Sequence, residues 1–160
     1  MEIKFIDYEY KDKTITLSFD SSKIYGITGK NVVDLLPIIS LKEINNGQIA
    51  IDGNKVTKDN INEYRKKIAL IITLNSTHQC VYNIMTEFIQ RNNLVIKDPL
   101  KKIKDSLKIV ELDENIITKK IYELSTSEKK LLLFAINLLS NPEMIIIYEP
   151  FKCLDKQNKK

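Results

Sequence analysis

LSTSEKKLLLFAINLLSNPEMIIIYEP, residues 124–150, decides the fold. Ser125 followed by Glu128 fits a capping box, in which the Ser hydroxyl accepts from a first-turn amide and the Glu carboxylate reaches back. The apolar run that follows predicts a helix to about Leu139. Ser140-Asn141-Pro142 stops it, because proline has no amide to donate and crowds the preceding turn. Met144 to Tyr148 is then a strongly apolar run of buried-strand length. A helix feeding a buried strand is the basic unit of α/β proteins.

Upstream, Val81 to Arg91, Pro99 to Val110 and about Glu114 to Leu124 read as helices. In the second, Leu100, Ile103, Leu107 and Ile109-Val110 make one apolar stripe against Lys and Asp. Nearer the N-terminus, residues 2–8 and 14–19 read as strands around the charged turn Lys11-Asp12-Lys13. Ile15, Leu17 and Phe19 fall on one face at period two. Lys23 to Thr28 predicts a third, buried strand. Asn31 to Ser40 predicts a helix that Pro37 should interrupt. Residues 47–53, GQIAIDG, predict a short strand ending in an Asp-Gly turn. Asn60 to Lys67 predicts a helix, and Ile68 to Thr73 a buried strand. The expected fold is α/β: residues 1–80 and 125–160 form the core of a single domain, and residues 81–124 a helical subdomain.

The totals agree. A chain of 160 residues with 43% hydrophobic and 29% charged residues has the balance of one globular domain. Net charge is +4, much of it from Lys156, Lys159 and Lys160 at the end. Without a basic stripe interleaved with aromatics, these read as solvated lysines, and no nucleic-acid partner is expected. Cys80 and Cys153 lie far apart, no secretory signal opens the chain, and no apolar run reaches membrane-spanning length. The expectation is a cytoplasmic protein with reduced thiols. A lone histidine, His78, is too little for a metal site, so no metal ligand is assigned.

The order of segments resembles the ATP-binding domain of ABC transporters. GQIAIDGNKV resembles the strand and turn after that family's first helix, and NEYRKKIALII the strand entering its Q-loop. YELSTSEKK resembles its signature segment, and LLSNPEMIIIYEPFKCLD its Walker B strand and D-loop. The resemblance implies a P-loop NTPase-like ABC ATPase core with N-terminal antiparallel strands, its C-terminal strands missing, since the chain stops at Lys160 before the strand with the family's histidine. It also implies ATP as cofactor and two partners: a second ABC ATPase subunit, in a homo- or heterodimer, and an integral membrane subunit at the inner face of the membrane.

Each chemical part can be compared with that family. Walker A is G-x-x-x-x-G-K-[ST]. Gly29-Lys30 resembles its end, but Ile24 stands where the first Gly belongs, Gly26 lies too near Gly29, and Asn31 replaces Ser or Thr. The loop is about four residues short of the pattern. A P-loop binds anions by aiming successive amides inward at a helix N-terminus, and a shortened ring of donors does not close. Lys30 could still meet an anion, and Asn31 could cap the helix.

The magnesium-side carboxylate of Walker B falls at Tyr148. A phenol, ionising near pH 10, is no substitute for a hard oxygen anion, so Mg²⁺ is doubtful. Glu149 matches the catalytic base. The Q-loop glutamine position holds Thr73, with Gln79 six residues on. Tyr10 or Tyr8 corresponds to the adenine-stacking aromatic.

In the signature, Leu124, Ser125 and Glu128 match while Thr126 and Ser127 replace two glycines. In the family this segment acts in trans, on nucleotide held by the opposite subunit. Cys153-Leu154-Asp155 matches the D-loop core. Three readings stay open: a degenerate subunit impaired in hydrolysis that pairs with an intact ATPase; an active subunit with a compressed loop; and an interaction module unconnected to transport.

Overall fold

The computed structural model describes residues 1–10, 13–20, 22–30, 32–42, 44 and 47–149. The chain divides into two compact units: Met1–Ala69 with Glu143–Ile146, and Leu70–Pro142 with the residues from Ile147 onward.

In the first unit, β1 (Ile3–Tyr10) and β2 (Lys13–Phe19) pair antiparallel. They are joined by β3 (Gln48–Ile51) and β4 (Asn54–Lys55) in the order β2-β1-β3-β4. The register slips between Phe5 and Tyr8, where β1 carries one extra residue and Asp7 takes a φ of 47°. This bulge changes the phase of alternation, so that Ile3, Phe5 and Tyr8 all lie in the core. Gly47 packs against the bulge: a Cβ there would lie 2.6 Å from the Tyr8 Cα, and its φ is 147°. As expected, Ile15, Leu17 and Phe19 pack on the core from one face of β2, and Ile49 and Ile51 complete it from β3. Burying each such side chain stabilises by roughly 1.5–3 kcal/mol.

A 3-10 turn (Val32–Leu35) leads into α1 (Leu36–Ile39). Pro37 does not interrupt this helix; it sits in its first turn, where its missing amide is not needed. α2 (Ile61–Arg65) follows, and the Arg65 guanidinium donates to the Leu41 carbonyl at 2.9 Å.

Lys23 to Thr28 does not form the expected buried strand. Every residue from Ser22 to Lys30 is exposed, Ile24 completely. Local contacts fold the segment instead. The Tyr25 hydroxyl accepts from the Asp20 amide at 2.9 Å, its ring meets Phe19 edge-on at 5.2 Å, and Lys23 pairs with Asp20 at 2.7 Å. An apolar run becomes a strand only when a sheet edge accepts its backbone groups, and among the described residues neither sheet includes it.

The second unit is mainly helical: α3 (Val81–Arg91), α4 (Pro99–Ile109) and α5 (Thr126–Leu138). Val81, Met85 and Ile89 on α3, Ile103 and Leu107 on α4, and Leu132, Ala135, Ile136 and Leu139 at α5 form one core. Their spacings of three and four residues put each set on one helix face. Asp98 caps α4 by accepting from the Lys101 amide at 3.0 Å.

Residues 114–124 are not the single helix expected. They form two 3-10 turns, Glu114–Thr118 and Ile121–Glu123. Their backbone is engaged elsewhere. The amides of Val81, Ile121 and Tyr122 donate to the carbonyls of Lys119, Gln79 and Thr77, and Cys80 bridges Lys120 antiparallel. Carbonyls and amides used across the chain cannot close α-helical turns.

β5 (Ile68–Ile71) and β6 (Met144–Ile147) pair as a separate two-stranded sheet. The Met144 amide reaches the Lys67 carbonyl and the Tyr148 amide the Ile71 carbonyl, a constant offset that marks a parallel pair.

Candidate functional site

The signature segment is built as its sequence predicts. Ser125 is extended, with φ −61° and ψ 164°, and its Oγ accepts from the Glu128 amide at 3.1 Å. The Glu128 carboxylate accepts in turn from the Ser125 amide at 2.7 Å. Hydrogen bonds donated by the Ser125 amide, first, and by its hydroxyl hold the Glu128 carboxyl below its ordinary range. Ser125 is exposed, so its hydroxyl and the first-turn amides of α5 form an accessible, positively polarised helix end. Thr126 and Ser127 are the first two helical residues.

The loop after β5 is held against the same unit. Lys129 donates to the Ser76 hydroxyl at 3.0 Å. Lys130 donates to the carbonyls of Ile72 and Tyr148 at 3.1 and 3.2 Å. Glu149 follows β6, exposed, with a φ of 49°. A glutamate in the left-handed region is uncommon and costs conformational energy. Alongside α3 runs a cleft of about 400 Å³ with an apolar floor that includes Leu74, Ile84 and Phe88. Its rim is polar: Glu87 accepts from Gln79 at 2.6 Å and from Arg91 at 3.1 Å.

The phosphate-loop candidates belong to the first unit. Gly26, Gly29 and Lys30 lie in the exposed segment before the 3-10 turn. Gly29 has a φ of 150°, which suits glycine. The helical stretch that follows is a four-residue 3-10 turn and a four-residue α-helix, too short for a substantial dipole. Asn31 and Cys153-Leu154-Asp155 lie outside the described residues, as does the Tyr10 side chain. Tyr8 is 3% exposed and packs edge-on against Phe5 at 6.1 Å, which makes it a core residue rather than a stacking platform. Thr73 and Gln79 are both exposed, on the loop between β5 and α3.

Sequence reasoning missed Lys130. A lysine five residues after the N-cap Ser125 reads as a solvated side chain, and only the fold shows it reaching two strand ends. It also missed the pairing of residues 77–81 with 119–122, which no periodicity announces.

Comparison with known proteins decides the family. The family model described as ABC transporter matches residues 13–152. The chain belongs to the ABC transporter family. ABC relatives include the energy-coupling factor transporter ATP-binding protein EcfA1 of Mycoplasmopsis synoviae, 27% identical over 82% of this chain and 50% of that protein. The molybdate/tungstate import ATP-binding protein WtpC of Pyrococcus abyssi is 28% identical over 99% of this chain and 48% of its own. The chain thus spans about half the length of these curated relatives. Among solved structures, the ABC protein cbiO1 of Clostridium perfringens superposes with a TM-score of 0.80 at 20% identity, over 98% of this chain and 68% of that one. That likeness establishes an ABC ATPase fold. Among the described residues, no helix is long and apolar enough to cross a membrane.

Proposed function

We propose that the chain is a degenerate ABC-transporter ATP-binding subunit, organised as one ATPase-like domain with residues 81–124 as its helical subdomain. It pairs with an intact ATPase subunit and lends Ser125 and the N-terminus of α5 to the nucleotide held by that partner. Its own hydrolysis of ATP is weak or absent. The observation that carries this reading is the contrast between the two ends of the chemistry. The Ser125–Glu128 capping box is complete and exposed, while Gly26, Gly29 and Lys30 lie on an exposed, irregular segment ahead of a short 3-10 turn.

A structural neighbour is a dimeric ATP-binding cassette bound to ADP and Pi, and a similar two-subunit arrangement supports action in trans. The cleft beside α3, apolar below and charged at its rim, suits the end of a helix from a membrane subunit, whose apolar residues would fill the floor while its polar groups meet Gln79, Glu87 and Arg91.

The test is Ser125→Asp in a complex with an intact ABC ATPase of the same transporter. Aspartate is as good an N-cap as serine, so the helix survives, but a carboxylate now faces the phosphates. The partner's ATP turnover should fall at least about tenfold, the repulsion between like charges at a desolvated contact being large enough for that. Unchanged turnover, or no complex at micromolar concentration with or without ATP, overturns the reading. The glutamate strained at φ 49° favours a second reading, an active subunit in which Glu149 polarises water and Lys30 holds phosphate. ATP turnover by the chain alone that disappears in Glu149→Gln would select it.

A further inference from the structure

We propose that Lys130 is the positioning residue for Glu149: by holding the Tyr148 carbonyl it keeps Glu149 in a left-handed backbone conformation, and so links α5 to the acidic end of β6. Glu149 has a φ of 49°. Its own sequence opposes that twice. A residue with a Cβ disfavours the left-handed region. A residue ahead of proline, here Pro150, is pushed toward extended backbone. The conformation is therefore held from outside the local sequence, since strained dihedrals persist only where the surroundings over-determine them.

The bonds around Tyr148 supply that hold. The Tyr148 amide donates to the Ile71 carbonyl at 3.0 Å. The Lys130 ammonium donates to the Tyr148 carbonyl at 3.2 Å and to the Ile72 carbonyl at 3.1 Å. Its bond to Ile72 anchors it just past the end of β5, so it cannot follow the Tyr148 oxygen if that group turns. The peptide unit joining Tyr148 to Glu149 is planar. Turning it over changes ψ of the first residue and φ of the second together. Type I and type II turns differ in this way, the second φ moving between about −90° and +80°. A fixed Tyr148 oxygen blocks that rotation and leaves the φ of Glu149 positive. Glu149 is exposed, so this one peptide decides where its carboxylate points. The hold is a hydrogen bond to a backbone oxygen, whatever else the ammonium and the Glu149 carboxylate meet. Lys130 stands five residues after the N-cap Ser125, so a shift of the α5 N-terminus reaches Glu149 through a single bond. The functional weight of that link rests on the reading in which this helix end meets the partner's nucleotide.

The test uses neither nucleotide nor partner, so it fails separately from that reading. In the isotope-labelled full chain, a strong Overhauser contact between the amide and α protons of one residue marks a positive φ, because the two protons then lie close together. The contact should be present at residue 149 in the native chain and in Glu149→Ala. It should be lost in Lys130→Met, which keeps the apolar stem and removes the donor. Glu149→Gly should raise Tm by about 2–4 °C in the native background, since glycine carries no left-handed strain. The rise should fall below about 1 °C beside Lys130→Met, where the peptide has already turned. A merely structural lysine predicts a lower Tm in Lys130→Met with the contact at residue 149 unchanged. That result overturns the proposal, as does absence of the contact in the native chain or an equal rise in Tm in both backgrounds. Loss of the contact in Glu149→Ala also overturns it, because the carboxylate and not the peptide would then be what is held. If Lys130→Met does not fold by circular dichroism, Lys130→Gln, whose shorter stem does not reach both carbonyls, gives the same comparison.

Discussion

Replacing Ser125 by alanine removes the bonds of its hydroxyl and leaves the backbone bond to Glu128 in place. Oγ no longer accepts from the Glu128 amide, 3.1 Å away, while the Glu128 carboxylate still accepts from the amide of residue 125 at 2.7 Å. Half of the capping box is lost, and the exposed helix end hydrates the freed amide. The expected cost is about 1 kcal/mol, the usual loss for an N-cap serine. For a chain of this size that lowers Tm by roughly 2–4 °C. Ser125→Asp should restore it. Thermal unfolding by circular dichroism gives the global number. Amide hydrogen exchange gives the local one: the Glu128 amide should exchange about fivefold faster, the factor that 1 kcal/mol implies for an opening equilibrium.

The other half of the box is read by pH. The Glu128 carboxyl is held below its ordinary value of 4.5 by its bonds from the Ser125 backbone and hydroxyl. A carboxyl depressed in the folded state contributes stability that is fully present above its unfolded value and is lost as pH falls through the folded one. The stability difference between the native chain and Glu128→Gln should therefore be constant above about pH 5.5 and shrink as pH drops below 4.5. A difference that stays constant down to pH 3, or a Ser125→Ala variant as stable as the native chain, would refute the claim that this pair of bonds fixes the helix end.

Three further outcomes follow from the packing. Gly47→Ala should cost more than about 2 kcal/mol by chemical denaturation, since its Cβ would stand 2.6 Å from the Tyr8 backbone at a φ of 147°. Leu132→Ala, at a fully buried position of the helical core, should cost about 2–5 kcal/mol by the same assay, and a cost under 1 kcal/mol would mean that the site is not packed. Lys30→Ala should leave Tm within about 1 °C, because the residue is exposed, and should weaken ATP binding by isothermal titration less than about threefold if the shortened loop encloses no triphosphate.

The parts of the fold legible in the sequence are those whose causes are local. Ser125 and Glu128 announce a helix end because both partners of each bond lie within four residues. Val81, Met85 and Ile89 announce a helix face because burial follows the turn. Pro37 departs from expectation for a related reason: its effect depends on which turn it occupies, and a 3-10 turn ahead of it moves the α-helix start to Leu36. The bulge at Asp7 is invisible in the sequence because alternation alone does not reveal an extra residue. The register of β1 against β2 shows why Phe5 and Tyr8, three apart, share one side.

The larger misses have one cause. Lys23 to Thr28 has strand composition and Glu114 to Leu124 has helical composition, yet neither forms the expected element. In each case the backbone partner decides. The first segment meets its own Phe19 and Asp20 before any sheet edge. The second gives its amides and carbonyls to residues 77–81. Propensity differences amount to about 1 kcal/mol per residue or less, so a few bonds made across the chain outweigh them. The same logic bears on chemistry. Lys130 gains its role from two carbonyls 58 and 18 residues away, and no pattern around position 130 could have disclosed it.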